Sequence, residues 1–308
     1  MNFHELCKEA VVWTCYLENF PRPERYLNIY GLNRGALLLF DYLGRFFPFE
    51  EFYARKASGS TSREVNDLNL TNKPYVLPWI YWPNDDKDIL CGKRIICPSI
   101  KMFTLLDNKI ETKSIFKKLG IKTPEWSFVN NGKKMLEKPI SDSAGGLGIS
   151  LAANNPRDGY FLEDYIPEHK SIGLQFFIFD EAELVCVNEM IFHSGEDDAF
   201  TFHAQRNIPK DEMPEALLRD CFKLSDYLQG KGYRGLLGMD ALIGNDGHYL
   251  LEINPRGIAF LPAFFAASAA GWKSFITHMK KGDLGKDEIL LLDFGHSKKI
   301  VKKTGFEQ

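Results

Sequence analysis

The segment Gly235–Asn254 constrains the fold more than any other stretch of the chain. Two apolar runs flank Asn245-Asp246-Gly247, a turn sequence suited to an antiparallel hairpin. The second run ends Glu252-Ile253-Asn254-Pro255-Arg256. Alternate residues of a strand share a face, so Glu252 and Asn254 project together, with Leu251 and Ile253 on the other side. Burying a carboxylate and an amide on one face without a partner is costly. Oxygen ligands of this kind suit Mg2+. Asp240 stands on the first run, and directly opposed residues of a hairpin share a face. Asp240 therefore joins Glu252 only if the loop has an odd number of residues or the ladder carries a bulge. A regular two- or four-residue loop would turn it away, and the metal reading would fail.

A second signal is Lys138, at the end of an expected strand over Lys134–Ile140, followed by Ser141-Asp142-Ser143-Ala144-Gly145-Gly146-Leu147-Gly148. A lysine before a glycine-rich loop can neutralise phosphate oxygens while backbone N–H groups approach closely. The same residues also fit a plain flexible turn between strands. The order matches neither a Walker A loop, which ends in Gly-Lys-Ser/Thr, nor a protein kinase, where the glycines precede the lysine. A third signal is Phe161-Leu162-Glu163-Asp164-Tyr165-Ile166, in an expected strand over Gly159–Ile166. Its apolar residues beside a free backbone edge could hold a flat base, or simply end a strand.

Elsewhere the pattern is uneven. Asp107–Leu119 predicts an amphipathic helix, stopped by Gly120 and by Pro124. Pro214–Leu228 predicts another, with Ala216, Leu217, Cys221, Leu224 and Leu228 on one stripe. Ser171–Phe179 and Glu183–Phe192 alternate like antiparallel strands. Arg94–Cys97 reads as a short strand before Pro98. Val11–Leu17 fits a strand or a helix equally well, Leu37–Phe47 fits a helix, and Ala57–Lys73 reads as a polar loop. This mixture predicts an α+β fold rather than one doubly wound sheet. His193 and His203 flank an acidic stretch and read as part of a solvated loop. The run His296–Lys303 reads as a solvated basic tail.

At 308 residues the chain is long enough for about two domains. Its 38 basic against 41 acidic residues disfavour a nucleic-acid binder. No apolar run reaches the ~20 residues of a spanning helix; the best stretch, Gly257–Trp272, is short and carries Pro262. Met1–Glu9 does not read as a secretory leader. The six cysteines form no CxxC pair and read as reduced thiols, which predicts a cytoplasmic location. Many of the 24 Phe, 12 Tyr and 5 Trp residues precede Met102, where large rings can fill a small core.

Taken in order, these pieces resemble the ATP-grasp ligases over Arg94 to about Phe260. The resemblance rests on Asp107-Asn108-Lys109, Gly120-Ile121-Lys122-Thr123-Pro124, Lys138, Glu163-Asp164-Tyr165-Ile166, and Asp240 with Glu252, Asn254 and Arg256. It implies an ATP-grasp fold, two α+β lobes sandwiching ATP, behind a reduced N-terminal α/β domain. The implied divisions are 1–101, 102–166 with a glycine-rich lid, 167–290 with the metal site, and 291–308. Lys109 and Lys138 would contact phosphates, and the loop with Ser143, Gly145, Gly146 and Gly148 would close over them. Glu163, with the backbone of the Asp164-Tyr165-Ile166 stretch, would bind adenine. Asp240, Glu252 and Asn254 would hold Mg2+ (or Mn2+). Arg256, with Arg206 as a weaker candidate, would act with Lys138 in catalysis.

The implied activity is ADP-forming ligation of a carboxylate to an amine, both small molecules of amino-acid or peptide type, with neither nucleic acid nor membrane as partner. A homodimer is compatible with the family. The alternatives are an ATP-grasp enzyme using bicarbonate or another nucleophile, or an ATP-binding regulatory module without turnover. The chain departs from the family pattern in three places. Asn108 separates Asp107 from Lys109, the ribose position falls to Glu168 in Pro167-Glu168-His169-Lys170, and the N-terminal region lacks G-x-G-x-x-G.

Overall fold

A computed structural model describes residues 1–16, 51–56, 73–78, 89–90, 93–141, 148–192, 202–258, 260–261 and 264, together with strands at 276–279, 289–293, 298–302 and 305–306. The helix expected at Leu37–Phe47 and nearly all of the loop expected at Ala57–Lys73 lie outside the described residues. So do Ser143, Gly145, Gly146 and His193.

The chain opens with α1 (Phe3–Glu9) and runs directly into β1 (Ala10–Tyr16), which resolves the Val11–Leu17 ambiguity in favour of a strand. β2 (Glu51–Lys56), β3 (Tyr75–Pro78), β4 (Ile89–Leu90) and β5 (Lys93–Ile95) complete a five-stranded sheet in the order β2-β1-β3-β5-β4. Three of its pairings are parallel and only β4–β5 is antiparallel, as an α/β domain requires.

The helix expected over Asp107–Leu119 is present at Lys109–Lys118, and a second helix that the sequence reading did not include precedes it. α2 (Ile100–Asp107) ends where Asn108, in extended conformation, caps α3 (Lys109–Lys118). The Asn108 side chain accepts from the N–H groups of Ile110 and Glu111 at 2.9 and 3.2 Å, which starts a new helix rather than continuing the old one. Gly120, at φ +65°, lets the chain leave α3 in the left-handed region. A four-stranded sheet follows, ordered β6-β9-β7-β8: β6 (Trp126–Ser127), β7 (Met135–Pro139), β8 (Ser150–Leu151) and β9 (Tyr160–Asp164).

The large sheet has nine strands. Its first five are β10 (Lys170–Ile178), β11 (Ala182–Phe192), β12 (Phe202–Ile208), β13 (Gly235–Gly244) and β14 (Gly247–Asn254). β15 (Ile276–Met279), β16 (Ile289–Asp293), β17 (Lys298–Lys302) and β18 (Gly305–Phe306) extend it, in the order β14-β13-β10-β11-β12-β15-β16-β17-β18. The basic run expected as a tail thus contributes β17, beside the edge strand β18, and the boundary expected after residue 290 falls inside β16. The core packs on one face. Ile172, Leu174, Phe176, Leu237, Met239 and Ile253 meet the stripe Leu217, Cys221, Leu224 and Leu228 of α4 (Glu215–Gly230). Each such leucine contributes about 1.5–3 kcal/mol by leaving water. The middle of the opposite face of β10, β13 and β14 carries Gln175, Asp240, Glu252 and Asn254, and there the candidate site lies. Among the described residues no helix is long and apolar enough to cross a membrane.

Candidate active site

Register decides the site. β13 and β14 are joined by the two-residue turn Asn245-Asp246, which alone would turn Asp240 away from Glu252. A bulge between Asp240 and Ala241 leaves Leu251 as the extra residue and pairs Asp240 with Glu252. Gly238 pairs with Asn254, so Asp240, Glu252 and Asn254 share one face. The Asn254 amide donates to Asp240 Oδ2 at 3.1 Å, and Arg256 Nη2 donates to Asn254 Oδ1 at 3.3 Å. A Cβ on Gly238 would come within 2.5 Å of Ile258 Cγ2 and 3.0 Å of Asn254 Cβ, so glycine is what lets the Asn254–Ile258 segment lie this close. Among the described residues no cluster of three or more His, Cys, Asp or Glu side chains forms. Two carboxylates and an amide oxygen are nevertheless a donor set that fits a hard cation whose remaining ligands are phosphate and water.

The cations converge on this floor from the neighbouring elements. The Lys109 N–H donates to Ile140 O at 2.8 Å, which ties the first turn of α3 to the end of β7. From there Lys109 Nζ lies 3.3 Å from Glu252 Oε2. Lys138, on β7, pairs with Glu163 on β9, and so does Lys113, on α3 one turn beyond Lys109. Lys113 also donates to Thr123 Oγ1 at 2.9 Å. The side chain of Lys113 is fully enclosed, whereas that of Lys138 is 7% exposed.

The electrostatics follow from this layout. Burial first, and then the neighbouring Glu252 charge, push the Asp240 carboxyl up to about 8. Burial would also raise Glu252, but the Lys109 ammonium and then that of Lys138 outweigh it and hold this carboxyl below its ordinary value. Glu163 is likewise held low against burial, by Lys138 and then Lys113. Burial pulls Lys113 down, with Glu163 opposing. With the Asp240 carboxyl raised and those of Glu163 and Glu252 held low, three lysine side chains (Lys109, Lys113, Lys138) face two carboxylates that favour their ionised form. That surplus of positive charge in a low-dielectric cleft favours an anion.

Several expected residues land differently. Both Glu163 side-chain oxygens are engaged by lysines, so the side chain is a hub for cations rather than a contact for a base. The Asp164 N–H donates to Glu125 O and the Tyr165 N–H to Lys134 O, which commits both groups to the sheet. The Tyr165 ring lies under Lys134, 4.1 Å from its Nζ, and the Ile166 carbonyl accepts from or faces His169 Nδ1 at 2.5 Å. Glu168 sits at φ +46° and accepts from Asn245 at the hairpin turn. Arg206 pairs in register with Glu189, and the ladder puts both on the sheet face opposite Asp240; its guanidinium lies 3.5 Å from the Glu189 carboxylate. The weaker catalytic candidate is thereby removed, because register places it across the sheet. Gly148, at the end of the glycine-rich run, has φ +80°, with Tyr160 OH 3.3 Å from where a Cβ would stand.

Lys113 was missed in the sequence, although its spacing of four from Lys109 on a helix puts both on one face. Gln175 was also missed. It is buried, and its Oε1 accepts from the Ile258 N–H at 2.7 Å, pinning the segment beyond Arg256 to β10.

A profile of the ATP-grasp domain matches residues 106–259, half of the chain and the part that carries the site. The chain belongs to the ATP-grasp family. Among curated proteins, none matches the sequence. Solved structures align across nearly all of it. An ATP-grasp superfamily protein from Archaeoglobus fulgidus aligns at 16% identity and TM-score 0.56, over 89% of this chain and 93% of the other. The biotin carboxylase domain dimer of Hydrogenobacter thermophilus 2-oxoglutarate carboxylase, in complex with MgADP and bicarbonate, aligns at 13% and 0.55, over 96% and 85%. N5-carboxyaminoimidazole synthetase from Staphylococcus aureus, complexed with ADP, aligns at 13% and 0.55, over 91% and 84%. At such identities the likeness is one of fold.

Proposed function

We propose that this ATP-grasp protein is an ADP-forming ligase that activates a carboxylate as an acyl-phosphate and couples it to an amine. The observation that carries the reading is the opposition of Lys109 and Lys138 to the Asp240–Glu252–Asn254 floor in one cleft. Cations on one wall and oxygen ligands on the other suit a metal-bound polyphosphate.

In this reading a substrate carboxylate oxygen forms a bond to the γ-phosphorus of ATP as the bond to the β-phosphate oxygen breaks, and ADP leaves. The amine nitrogen then forms a bond to the acyl carbon. The acyl carbon–oxygen bond breaks, inorganic phosphate departs, and the amine loses a proton to solvent. Lys109 and Lys138 stabilise charge on the phosphates, which are the groups whose charge shifts in transfer. Arg256, held beside Asn254, stabilises the acyl-phosphate oxygens. Asp240, Glu252 and Asn254 would hold Mg2+, which when bound neutralises phosphate charge. The glycine-rich run ending at Gly148 excludes water from the acyl-phosphate.

Adenine would take its contacts from backbone groups of the 163–166 stretch other than the two N–H groups used by the sheet, and Glu168 is the ribose candidate. Residues 1–101 would supply the substrate-positioning domain and 102–166 one lobe, with the second lobe running from 167 through the strands that extend the nine-stranded sheet. A cytoplasmic location accords with the reduced thiols Cys97, Cys186 and Cys221. A homodimer accords with the dimeric state named for the Hydrogenobacter neighbour.

A second reading replaces the organic carboxylate with bicarbonate, and is favoured by the bicarbonate named in that same complex. ADP release is the deciding measurement. Release that depends on pooled amino acids or dipeptides supports ligation, and release that depends on bicarbonate supports carboxylation. Nucleotide binding without ADP formation under any pool would leave only a regulatory module. Glu252→Gln is expected to reduce ADP formation at least about a hundredfold while the fold persists; near-normal turnover in that variant refutes the metal assignment.

A further inference from the structure

Glu163 has two cations where one would neutralise it. Its carboxylate is 1% exposed and accepts from Lys138 on one oxygen and Lys113 on the other. The two lysines are not equivalent. Lys113 is enclosed, donates to Thr123 Oγ1 at 2.9 Å, and has its Nζ 5.9 Å from the centroid of the Phe161 ring. Among the described residues Glu163 is the only hydrogen-bonding partner of the Lys138 ammonium. Lys138 lies at the cleft, near enough to Glu252 to help hold that carboxyl low.

A buried carboxylate that loses its sole cation becomes an uncompensated charge, which is strongly unfavourable. One that keeps a second cation does not. Lys138 can therefore leave Glu163 cheaply only because Lys113 stays. With both lysines in place the group carries one positive charge in excess, and an anionic phosphate is the ligand class that would take it up.

We propose that Lys113 is a positioning residue: it holds Glu163 neutralised, so that Lys138 exchanges its carboxylate partner for a phosphate oxygen when a nucleotide binds. Glu163 is then the resting partner of Lys138, and Lys113 the fixed counter-charge that keeps the exchange reversible. No bond is made or broken in the exchange beyond hydrogen bonds, and no proton changes hands. The inference rests on the proposed nucleotide-binding reading.

The test is calorimetric titration of Mg-ADP into the full-length protein and its variants, with melting temperatures recorded for each. Wild type must bind; if it does not, the nucleotide reading itself fails and this inference with it. Lys113→Met leaves Glu163 with Lys138 alone and traps that lysine, so affinity falls about tenfold or more, close to the loss in Lys138→Met. Adding Lys138→Met to Lys113→Met then costs little more. Lys113→Met/Glu163→Gln removes the trap along with the counter-charge and recovers most of the wild-type affinity. A purely structural lysine would predict no such recovery. If Lys113→Met alone does not fold, Glu163→Gln and the double variant carry the test, because the double variant buries no unpaired carboxylate. Glu163→Gln, with Lys138 released, binds Mg-ADP at least as tightly as wild type. Wild-type affinity in Lys113→Met, no recovery in the double variant, or a tenfold loss in Glu163→Gln would each overturn the proposal.

Discussion

Glu163 sets an acid limit on the fold. Burial opposes its ionisation, yet Lys138 and Lys113 hold its carboxyl below the ordinary value of 4.5. A carboxyl whose folded-state pKa is depressed stabilises the fold at pH above its unfolded value, and loses that contribution as pH falls through the folded value. The window therefore opens near pH 4.5 and extends below it. Urea midpoints measured between pH 6 and 3 should fall less steeply for Glu163→Gln than for wild type. Equal slopes would mean the carboxylate is not held by the two lysines.

A second residue-scale expectation concerns Gly173. It stands between Asp240 and Asn188 in the ladder, and a Cβ there would lie 2.7 Å from Asn188 Oδ1. Asn188 is fully buried, and among the described residues neither polar atom of its side chain has a hydrogen-bonding partner. Gly173→Ala should cost about 1–3 kcal/mol by overpacking. Asn188→Ala in the same chain should return part of that loss, a non-additivity readable in denaturation midpoints.

At the scale of elements, the site depends on two local irregularities. Asn108 breaks what would be one long helix and restarts it so that Lys109 occupies the first turn, facing Glu252. Asn108→Ala removes a cap worth about 1 kcal/mol and loosens the turn that aims Lys109. Both a lower melting temperature and a weaker Mg-ADP affinity are expected, and a change in stability alone would separate the cap from the site. The bulge at Leu251 is the other irregularity, and it bears on what the sequence could convey. The requirement for an odd loop or a bulge was legible from strand parity. Which of the two occurs was not, because a bulge of this kind is set by the twist of β13 against β14 and leaves no local residue signature. The helices at 109–118 and 215–230, the strands at 135–139, 160–164, 170–178 and 182–192 and the hairpin at 235–254 were legible because their hydrophobic periods are regular. β12 was not, and it takes in His203, which the sequence reads as part of a loop. Lys113 was hidden for a different reason. On a helix with lysines at 109, 113, 117 and 118 it reads as one more solvated side chain, and only the tertiary approach of β9 encloses it. Arg206 was misread because a strand's face depends on its partners, and β12 has its register set by β11 alone on that side.

At the scale of the whole molecule, the candidate site draws on two sheets. Polar links cross between the two sides: Lys109 to Glu252, the Leu250 N–H to Lys122 O at 2.9 Å, and Asn245 to Glu168. Leu106, Phe116 and Ile121 add apolar packing against the core of the large sheet. A ligand that engages Lys109 and Lys138 on one side and Asp240 and Glu252 on the other would add a further link. Binding to the folded state alone stabilises by mass action, about 2.7 kcal/mol at a ligand concentration a hundred times Kd. For a chain of this size that corresponds to a rise in melting temperature of about 5 °C. The rise should require both halves of the site. ADP with EDTA should give a small fraction of it, because without the cation the phosphates have no partner on the Asp240–Glu252–Asn254 side. Glu252→Gln with Mg-ADP should behave in the same way. Lys122, which lies on the hairpin side and pairs with Asp246 in solvent, supplies the control: Lys122→Ala should shift the baseline slightly and leave the Mg-ADP increment intact. An increment that survives EDTA would show that the nucleotide is held by one sheet alone, and the sandwich arrangement would then be wrong.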